Sequence, residues 1–192
     1  MIQILIDNSS ENYSVAELAQ MAVEAGCRWI RLRLPDADEA FVREQTGLIV
    51  PMCKEAGVML SIDDRPDMAK SAGLHGVHLN DKKFNPVAVR EELGPEAVIG
   101  VTTGDVSVAA AMKKADIDYV QLPDDFDDDR IAAFMVDFRE LDDRYPIVAA
   151  GKIAPGDVRS VLALGVSGVA LSHTVTLAPD PYKAMETALA TV

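Results

Sequence analysis

The segment Ser61-Ile62-Asp63-Asp64-Arg65-Pro66-Asp67-Met68-Ala69 sets two adjacent carboxylates and an arginine where the apolar run Val58 to Ile62 ends and a helix begins. Charged groups at the end of a buried strand are placed to face a ligand. The same event, strand then polar residues then helix, recurs along the chain with different polar residues each time. The strand-end groups are Arg31 and Arg33, Asp63 and Asp64 with Arg65, His78 with Asn80 and Asp81, Thr102 and Thr103, Gly151 with Lys152, and Ser172 with His173. Cations, paired carboxylates and hydroxyls together suit a phosphorylated substrate better than a neutral one, since guanidinium and ammonium groups meet phosphate oxygens through charge-assisted hydrogen bonds.

The last two polar stretches, Gly151-Lys152-Ile153-Ala154-Pro155-Gly156-Asp157 and Ser172-His173-Thr174, follow the seventh and eighth apolar runs. In barrels of alternating strands and helices this is where backbone N–H groups often hold phosphate. Lys152 adds a point charge there. The plainer alternative is that Gly151 and Gly156 serve only tight turns. His173, in a loop, is a candidate for ligand contact or proton transfer. No nucleophile with an adjacent base can be assembled from sequence order.

Other patterns have structural explanations. His75 and His78 flank a strand in which residues three apart point to opposite faces, so one metal ion cannot reach both. Cys27 and Cys53 lack metal-type spacing and read as reduced, buried thiols. The run Asp124-Asp125-Phe126-Asp127-Asp128-Asp129 fails as an EF-hand, because Arg130 stands where the turn needs glycine and Val136 where it needs glutamate. Its acids fit the N-terminus of a helix starting near Arg130, which the helix dipole favours.

The elements that must position these groups alternate in period. Ile2 to Ile6, Trp29 to Leu32, Val58 to Ile62, Gly76 to Leu79, Val98 to Val101, Tyr119 to Leu122, Ile147 to Ala150 and Gly168 to Leu171 are short and apolar. Between them lie segments of helical period, including Val15 to Ala25, Phe41 to Ala56, Pro86 to Leu93, Val106 to Lys114, Ile131 to Leu141, Asp157 to Leu164 and Pro181 to Leu189. Such alternation implies parallel strands joined by crossover helices. Eight units close a (β/α)₈ TIM barrel, a single domain over residues 1–192. An open doubly wound sheet is the competing architecture, but no Gly-x-Gly-x-x-Gly follows any strand.

Composition narrows the partners. Eighteen basic against 31 acidic residues give a formal charge of −13, which argues against nucleic acid and against an anionic membrane surface, since phosphate backbones are held by clustered Lys and Arg. Any anionic ligand must be held locally against that field. No apolar run approaches the roughly 20 residues that cross a bilayer, and the N-terminal residues lack the features of a secretory signal, so a cytoplasmic protein is expected. The expected partner is a small phosphorylated molecule, and the sequence is compatible with a homo-oligomer.

Several motifs together resemble one family. Gly26-Cys27-Arg28-Trp29-Ile30-Arg31-Leu32-Arg33, Ile62-Asp63-Asp64-Arg65-Pro66-Asp67-Met68-Ala69, Gly76-Val77-His78-Leu79, Ile99-Gly100-Val101-Thr102, Val148-Ala149-Ala150-Gly151 and Gly165-Val166-Ser167-Gly168-Val169-Ala170 resemble, in order and spacing, thiamine phosphate synthases and the related TenI proteins. The resemblance implies a (β/α)₈ barrel that joins an aminopyrimidine diphosphate to a thiazole phosphate, releasing pyrophosphate in a magnesium-dependent, largely dissociative substitution. By position, Arg33 matches the arginine that grips the diphosphate, Asp64 the first magnesium carboxylate, Asp63 a neighbouring asparagine, and Thr102 the serine after strand five. Gly151 matches the first glycine of a Gly-Gly turn, and Ser172 lies in the loop that completes the phosphate site.

The departures from the family pattern are specific. Its Gln-Leu-Arg-x-Lys is Arg31-Leu32-Arg33-Leu34-Pro35 here, which loses a diphosphate-binding lysine. Its His-Leu-Gly-Gln-x-Asp is His78-Leu79-Asn80-Asp81-Lys82-Lys83, which aligns the second magnesium carboxylate with Lys83 unless Asp81 substitutes for it. An ammonium cannot ligate magnesium; it would pair with Asp64 or contact a phosphate. Gln121-Leu122-Pro123-Asp124-Asp125-Phe126-Asp127 replaces a Gly-Pro-x-Phe loop with its threonines and lysine, and Lys152 replaces the second glycine. The histidine of TenI-type tautomerases after strand five is replaced by Thr103 and Gly104.

Three readings follow. In the first, Arg33, Lys83 and Arg31 hold a diphosphate, Asp64 with Asp63 or Asp81 holds magnesium, and Gly151, Lys152 and Ser172 hold a second phosphate in an enzyme of thiamine phosphate assembly. In the second, the barrel keeps an arginine-rich pocket for a phosphorylated ligand without turnover. A third, an interaction protein with no small ligand, requires Arg31, Arg33, Lys83 and Lys152 to be consumed in a closed ion-pair network with Asp63, Asp64 and Asp81.

Overall fold

The short apolar runs become strands β1 (Ile2–Ile6), β2 (Trp29–Leu32), β3 (Met59–Asp63), β4 (Gly76–Leu79), β5 (Val98–Thr102), β6 (Tyr119–Gln121), β7 (Ile147–Ala150) and β8 (Gly168–Leu171). In the computed structural model, which describes residues 1–80, 82–142 and 144–191, they form a closed barrel in chain order, with β8 parallel to β1. Helices α1 (Val15–Glu24), α2 (Glu39–Ala56), α3 (Pro66–Ala72), α4 (Pro86–Leu93), α5 (Val106–Lys114), α6 (Asp128–Leu141), α7 (Val158–Ala163), α8 (His173–Thr176) and α9 (Pro181–Leu189) complete the (β/α)₈ fold. The open-sheet alternative is thereby excluded. No helix among the described residues is long and apolar enough to cross a membrane.

Alternation along each strand sorts side chains into two cores. Outward residues such as Ile4, Ile30, Ile62, Val77, Ile99 and Val120 pack under the helices with Leu18, Ile49, Phe138 and Met185. Inward residues Leu5, Trp29, Tyr119, Val148, Ala150 and Ala170 form a separate cluster inside the barrel. Tyr119 fits there because the neighbouring position on β5 is Gly100: a Cβ at Gly100 would lie 2.1 Å from the Tyr119 ring. The Trp29 and Tyr119 rings meet edge-on, with centroids 5.4 Å apart, and the Trp29 indole N–H donates to Ser61 Oγ at 2.9 Å.

Helix starts follow local capping chemistry. Ser14 and Glu17 form a reciprocal capping box at α1, and Asp38, Asn85, Asp105, Asp127 and Asp180 each accept from a first-turn N–H. The acidic run therefore caps α6, with Asp127 at the N-cap and Asp128 and Asp129 in the first turn. Cys27 and Cys53 are free and buried, and burial pushes both thiols up to about 11, so they stay protonated at neutral pH. His75 serves the scaffold, its Nδ1 accepting from the Leu60 N–H.

Two boundaries differ from the sequence reading and matter for the site. β3 runs on to Asp63, whose Cα pairs with that of His78 on β4, so Asp63 is a barrel side chain and only Asp64 belongs to the loop. Residues His173–Thr176, expected as loop, form the short helix α8. Polar residues hide such a turn from a hydrophobic-period reading.

Candidate active site

The inward polar residues near the C-terminal ends of the strands form one connected ring. Arg31 is fully buried; its Nη1 donates to Gln3 Oε1 at 2.9 Å and to the Tyr119 hydroxyl at 3.4 Å, and its Nη2 to Gln121 Oε1 at 2.7 Å. Its Nε lies 2.9 Å from Asp63 Oδ1, but neither atom has a hydrogen-bond partner in line, so this contact is ionic. Asp63 Oδ2 accepts from Asn80 Nδ2 at 2.9 Å, Asn80 Oδ1 accepts from the Thr102 hydroxyl at 2.9 Å, and Thr102 Oγ1 lies 2.8 Å from His78 Nε2. His78 Nδ1, 2.9 Å from the Tyr119 hydroxyl, closes the ring.

The ring fixes a tautomer. Asp63 can only accept, so Asn80 presents its amide N–H to it and its carbonyl oxygen to Thr102. The Thr102 proton is then used, so its oxygen accepts from His78 Nε2–H, and His78 Nδ1 accepts from Tyr119. Burial, with the Arg31 and Arg33 charges adding to it, holds the His78 pKa well below the ordinary value, consistent with a neutral imidazole. Burial likewise raises the Tyr119 pKa. A stability prediction follows from the sign of the His78 shift. His78 imposes no penalty above its ordinary value of 6.5; below it the unfolded chain takes up a proton that folded His78 refuses. Stability is then lost at up to about 1.4 kcal/mol per pH unit. Urea midpoints measured down to about pH 5 should show that slope, and His78→Gln should remove its share. Equal slopes in the two proteins would mean that His78 is protonated in place.

Above the ring the barrel opens into two adjoining cavities. One, of about 370 Å³, is lined by Arg33, Pro35, Asp64, Asn80, Thr102 and Asp124 among others. The second, of about 270 Å³, is lined by Arg33, Asp124, Gly151, Lys152, Ser172 and His173 among others. Arg33 and Asp124 line both and form the wall between them. Arg33 Nε bonds Asp63 Oδ2 at 3.0 Å and Nη1 bonds Asp124 Oδ2 at 2.7 Å. Burial opposes the Arg33 charge, but these carboxylates outweigh it and raise the guanidinium pKa. For Asp63 burial wins in the other direction and raises its pKa against the pull of Arg31 and Arg33.

Loop geometry explains how distant residues meet here. Asp64 takes φ = 54°, a left-handed conformation that aspartate tolerates better than most residues. Its N–H donates to His78 O at 2.9 Å, and its Oδ1 accepts from Asn80 N at 2.8 Å. Gly151 has φ = 113°, and a Cβ there would lie 2.3 Å from Asp124 O. Only glycine lets the loop after β7 lie against the loop after β6 in this way. His173 Nε2 meets Asp7 Oδ2 at 2.6 Å, tying the start of α8 to the loop after β1.

Of the residues expected at a ligand, Arg33, Asp63, Asp64, Thr102, Gly151, Lys152, Ser172 and His173 all line one or both cavities. Arg31 does not. Strand period puts it on the inward face with Arg33 but one layer deeper, where it holds Asp63 and is sealed from solvent. Lys83 lines neither cavity, its Nζ lying 5.0 Å from the centroid of the Phe84 ring. Asp81 lies outside the described residues. Sequence reasoning did not place Tyr119 in the site, and it met Gln121 and Asp124 only as part of the loop that replaces the family's Gly-Pro-x-Phe, not as site residues. Asp124 was open to discovery, since it follows β6 as Asp64 follows β3, but the acidic run around it reads as a helix start. The closed ion-pair network required by the no-ligand reading forms only in part. Arg31 and Arg33 pair with Asp63, whereas Lys152 has no carboxylate partner among the described residues.

Protein donors for a magnesium ion are few. Among the described residues no three His, Cys, Asp or Glu side chains are grouped to hold a metal ion, and Asp63 is committed to guanidiniums. Asp64 lines the larger of the two cavities. Magnesium is commonly held by one or two carboxylates and completed by substrate phosphates, so these residues fit an ion that arrives with a diphosphate and not a prebuilt metal cage.

A closed (β/α)₈ barrel with cation-bearing cavities at the C-terminal face defines the class: a small-molecule site of the enzyme-barrel type. Residues 2–127 match the family described as Thiamine monophosphate synthase. The chain is 33% identical over 190 residues to the thiamine-phosphate synthase of Bacteroides fragilis, covering 93% of each. It is 31% identical over 188 residues to that of Phocaeicola vulgatus, covering 92% of this chain and 90% of the other. The fold superposes on a thiamine phosphate pyrophosphorylase from Pyrococcus furiosus with a TM-score of 0.84 at 24% identity, covering 99% of this chain and 94% of that one. This chain therefore belongs to the thiamine monophosphate synthase family.

Proposed function

We propose that the protein joins an aminopyrimidine diphosphate to a thiazole phosphate, releasing pyrophosphate. The observation that carries this reading is the pair of adjoining cavities that share Arg33 as a wall. A two-substrate condensation needs such an arrangement, with each reactant held in its own compartment and their reacting ends brought together at the boundary. Arg33 serves the diphosphate at that boundary, and Asp64 would hold the magnesium that comes with it. When bound, the ion neutralises charge on the departing diphosphate. Asn80 and Thr102, locked by the polar ring, present fixed dipoles to the pyrimidine compartment. Gly151, Lys152 and Ser172 line the compartment for the thiazole phosphate, with Lys152 supplying a charge, and His173 closes its edge.

Arg31 acts in this reading through Asp63, keeping that carboxylate oriented under Arg33, and touches no substrate. Lys83 has no position in either compartment. The partners required are small phosphorylated molecules, and the cytoplasm is the compartment that buried reduced thiols suit.

The test is to incubate the purified protein with both substrates and magnesium and to detect thiamine phosphate by mass spectrometry. Product is expected from the native sequence, and Asp64→Asn should lower turnover and raise the magnesium concentration needed. No product at saturating substrates would refute the catalytic reading.

A further inference from the structure

Arg33 spends its guanidinium on two carboxylates of unlike standing. Asp63, with its side chain only 4% exposed, is also held by Arg31 Nε at 2.9 Å and Asn80 Nδ2 at 2.9 Å. It cannot leave without stranding a buried charge. Asp124 has a side chain 49% exposed, and its other hydrogen bond runs from Gln121 Nε2 at 3.1 Å. Its backbone is fixed against Gly151, so the carboxylate can leave Arg33 by side-chain rotation without any movement of the loop.

We propose that Asp124 is an internal anion that occupies Arg33 in the empty site and competes with the incoming phosphate group, so that it sets the affinity of this protein for its anionic substrate. The inference rests on reading Arg33 as the anion-binding residue. A carboxylate tethered at 2.7 Å from Nη1 competes as an intramolecular ligand at high effective concentration. The apparent affinity of any anion at Arg33 is then reduced by the fraction of molecules in which Asp124 holds it. The acidic run adds repulsion around the same mouth, but only Asp124 touches Arg33 among its aspartates.

The experiment is calorimetric titration of inorganic pyrophosphate, without metal, into the native protein, Asp124→Asn and Asp128→Asn. Asp128 sits in the first turn of α6 and makes no contact with Arg33, so it reports the general effect of removing one negative charge. Asp124→Asn should bind about fivefold to tenfold tighter than the native protein, as expected for loss of a part-exposed ion pair and of local repulsion, and Asp128→Asn less than about twofold tighter. Adding Arg33→Ala to Asp124→Asn should cancel the gain. Equal affinity in the native protein and Asp124→Asn, or equal gains from both aspartate variants, would overturn the proposal and leave Arg33 as the anion site. Absence of pyrophosphate binding in all of them would overturn the anion-site reading, and the competition with it.

Discussion

Arg33→Ala should lower kcat/KM for thiamine phosphate formation by about 10²- to 10³-fold, the usual cost of losing one donor to developing charge, and should abolish pyrophosphate binding by calorimetry. The residue is the shared wall of both cavities, so on the proposed function its loss removes the diphosphate contact and the boundary between the two compartments. The fold should tolerate the change. Arg33 is only part-buried, and Asp63 keeps Arg31 and Asn80. A loss of about 1 kcal/mol or less, read as a small shift in Tm, is expected alongside the functional collapse. Unchanged pyrophosphate affinity in a folded Arg33→Ala protein would remove Arg33 from the site and the two-compartment reading with it.

The largest stability effect should come from the layer beneath. Asp63→Asn leaves the fully buried Arg31 without its counter-charge, and Arg31→Gln leaves Asp63 with Arg33 as its one remaining cation. Removing one partner of a buried ion pair typically costs about 3–5 kcal/mol, a large share of the roughly 5–15 kcal/mol that holds a domain folded. The resembling family carries glutamine and asparagine at these two positions, so the double variant Arg31→Gln with Asp63→Asn restores a neutral pair. It should be more stable than either single variant, with a coupling of about 2 kcal/mol from urea unfolding of all four proteins. Additive losses would show that the two side chains contribute independently and that the ionic contact between them does not hold the ring. Activity gives a second readout: the double variant keeps Arg33 but changes what orients it, and should raise KM for the diphosphate more than it lowers kcat.

These predictions separate what local chemistry encodes from what it does not. The strands were legible because a short apolar run between segments of helical period must be buried on both faces of a parallel sheet, and β1, β2, β4, β7 and β8 fall on the expected residues. The helix starts at Val15, Pro86 and Pro181 also fall on the expected residues, and the acidic run was read as a helix start; each start rests on a local cap, Ser14, Asn85, Asp180 and Asp127, that satisfies N–H groups within three residues of itself. Arg33, Asp64, Gly151 and Ser172 could be nominated because a closed barrel places the residue after each strand at one mouth.

Depth and pairing were not legible. Arg31 and Arg33 share the inward face by period, yet whether an inward arginine meets solvent depends on how far its strand is staggered along the barrel. That stagger is a property of all eight strands together. The link from Arg33 to Asp124 joins residues 91 apart, and that from His173 to Asp7 residues 166 apart. The sequence by itself determined the order of elements, their caps and the roster of groups at the barrel mouth, because each follows from interactions within a few residues. Only the tertiary structure decided which charges are spent inside the protein and which border an open cavity, because ring closure brings together loops whose separation along the chain carries no information about their distance in space.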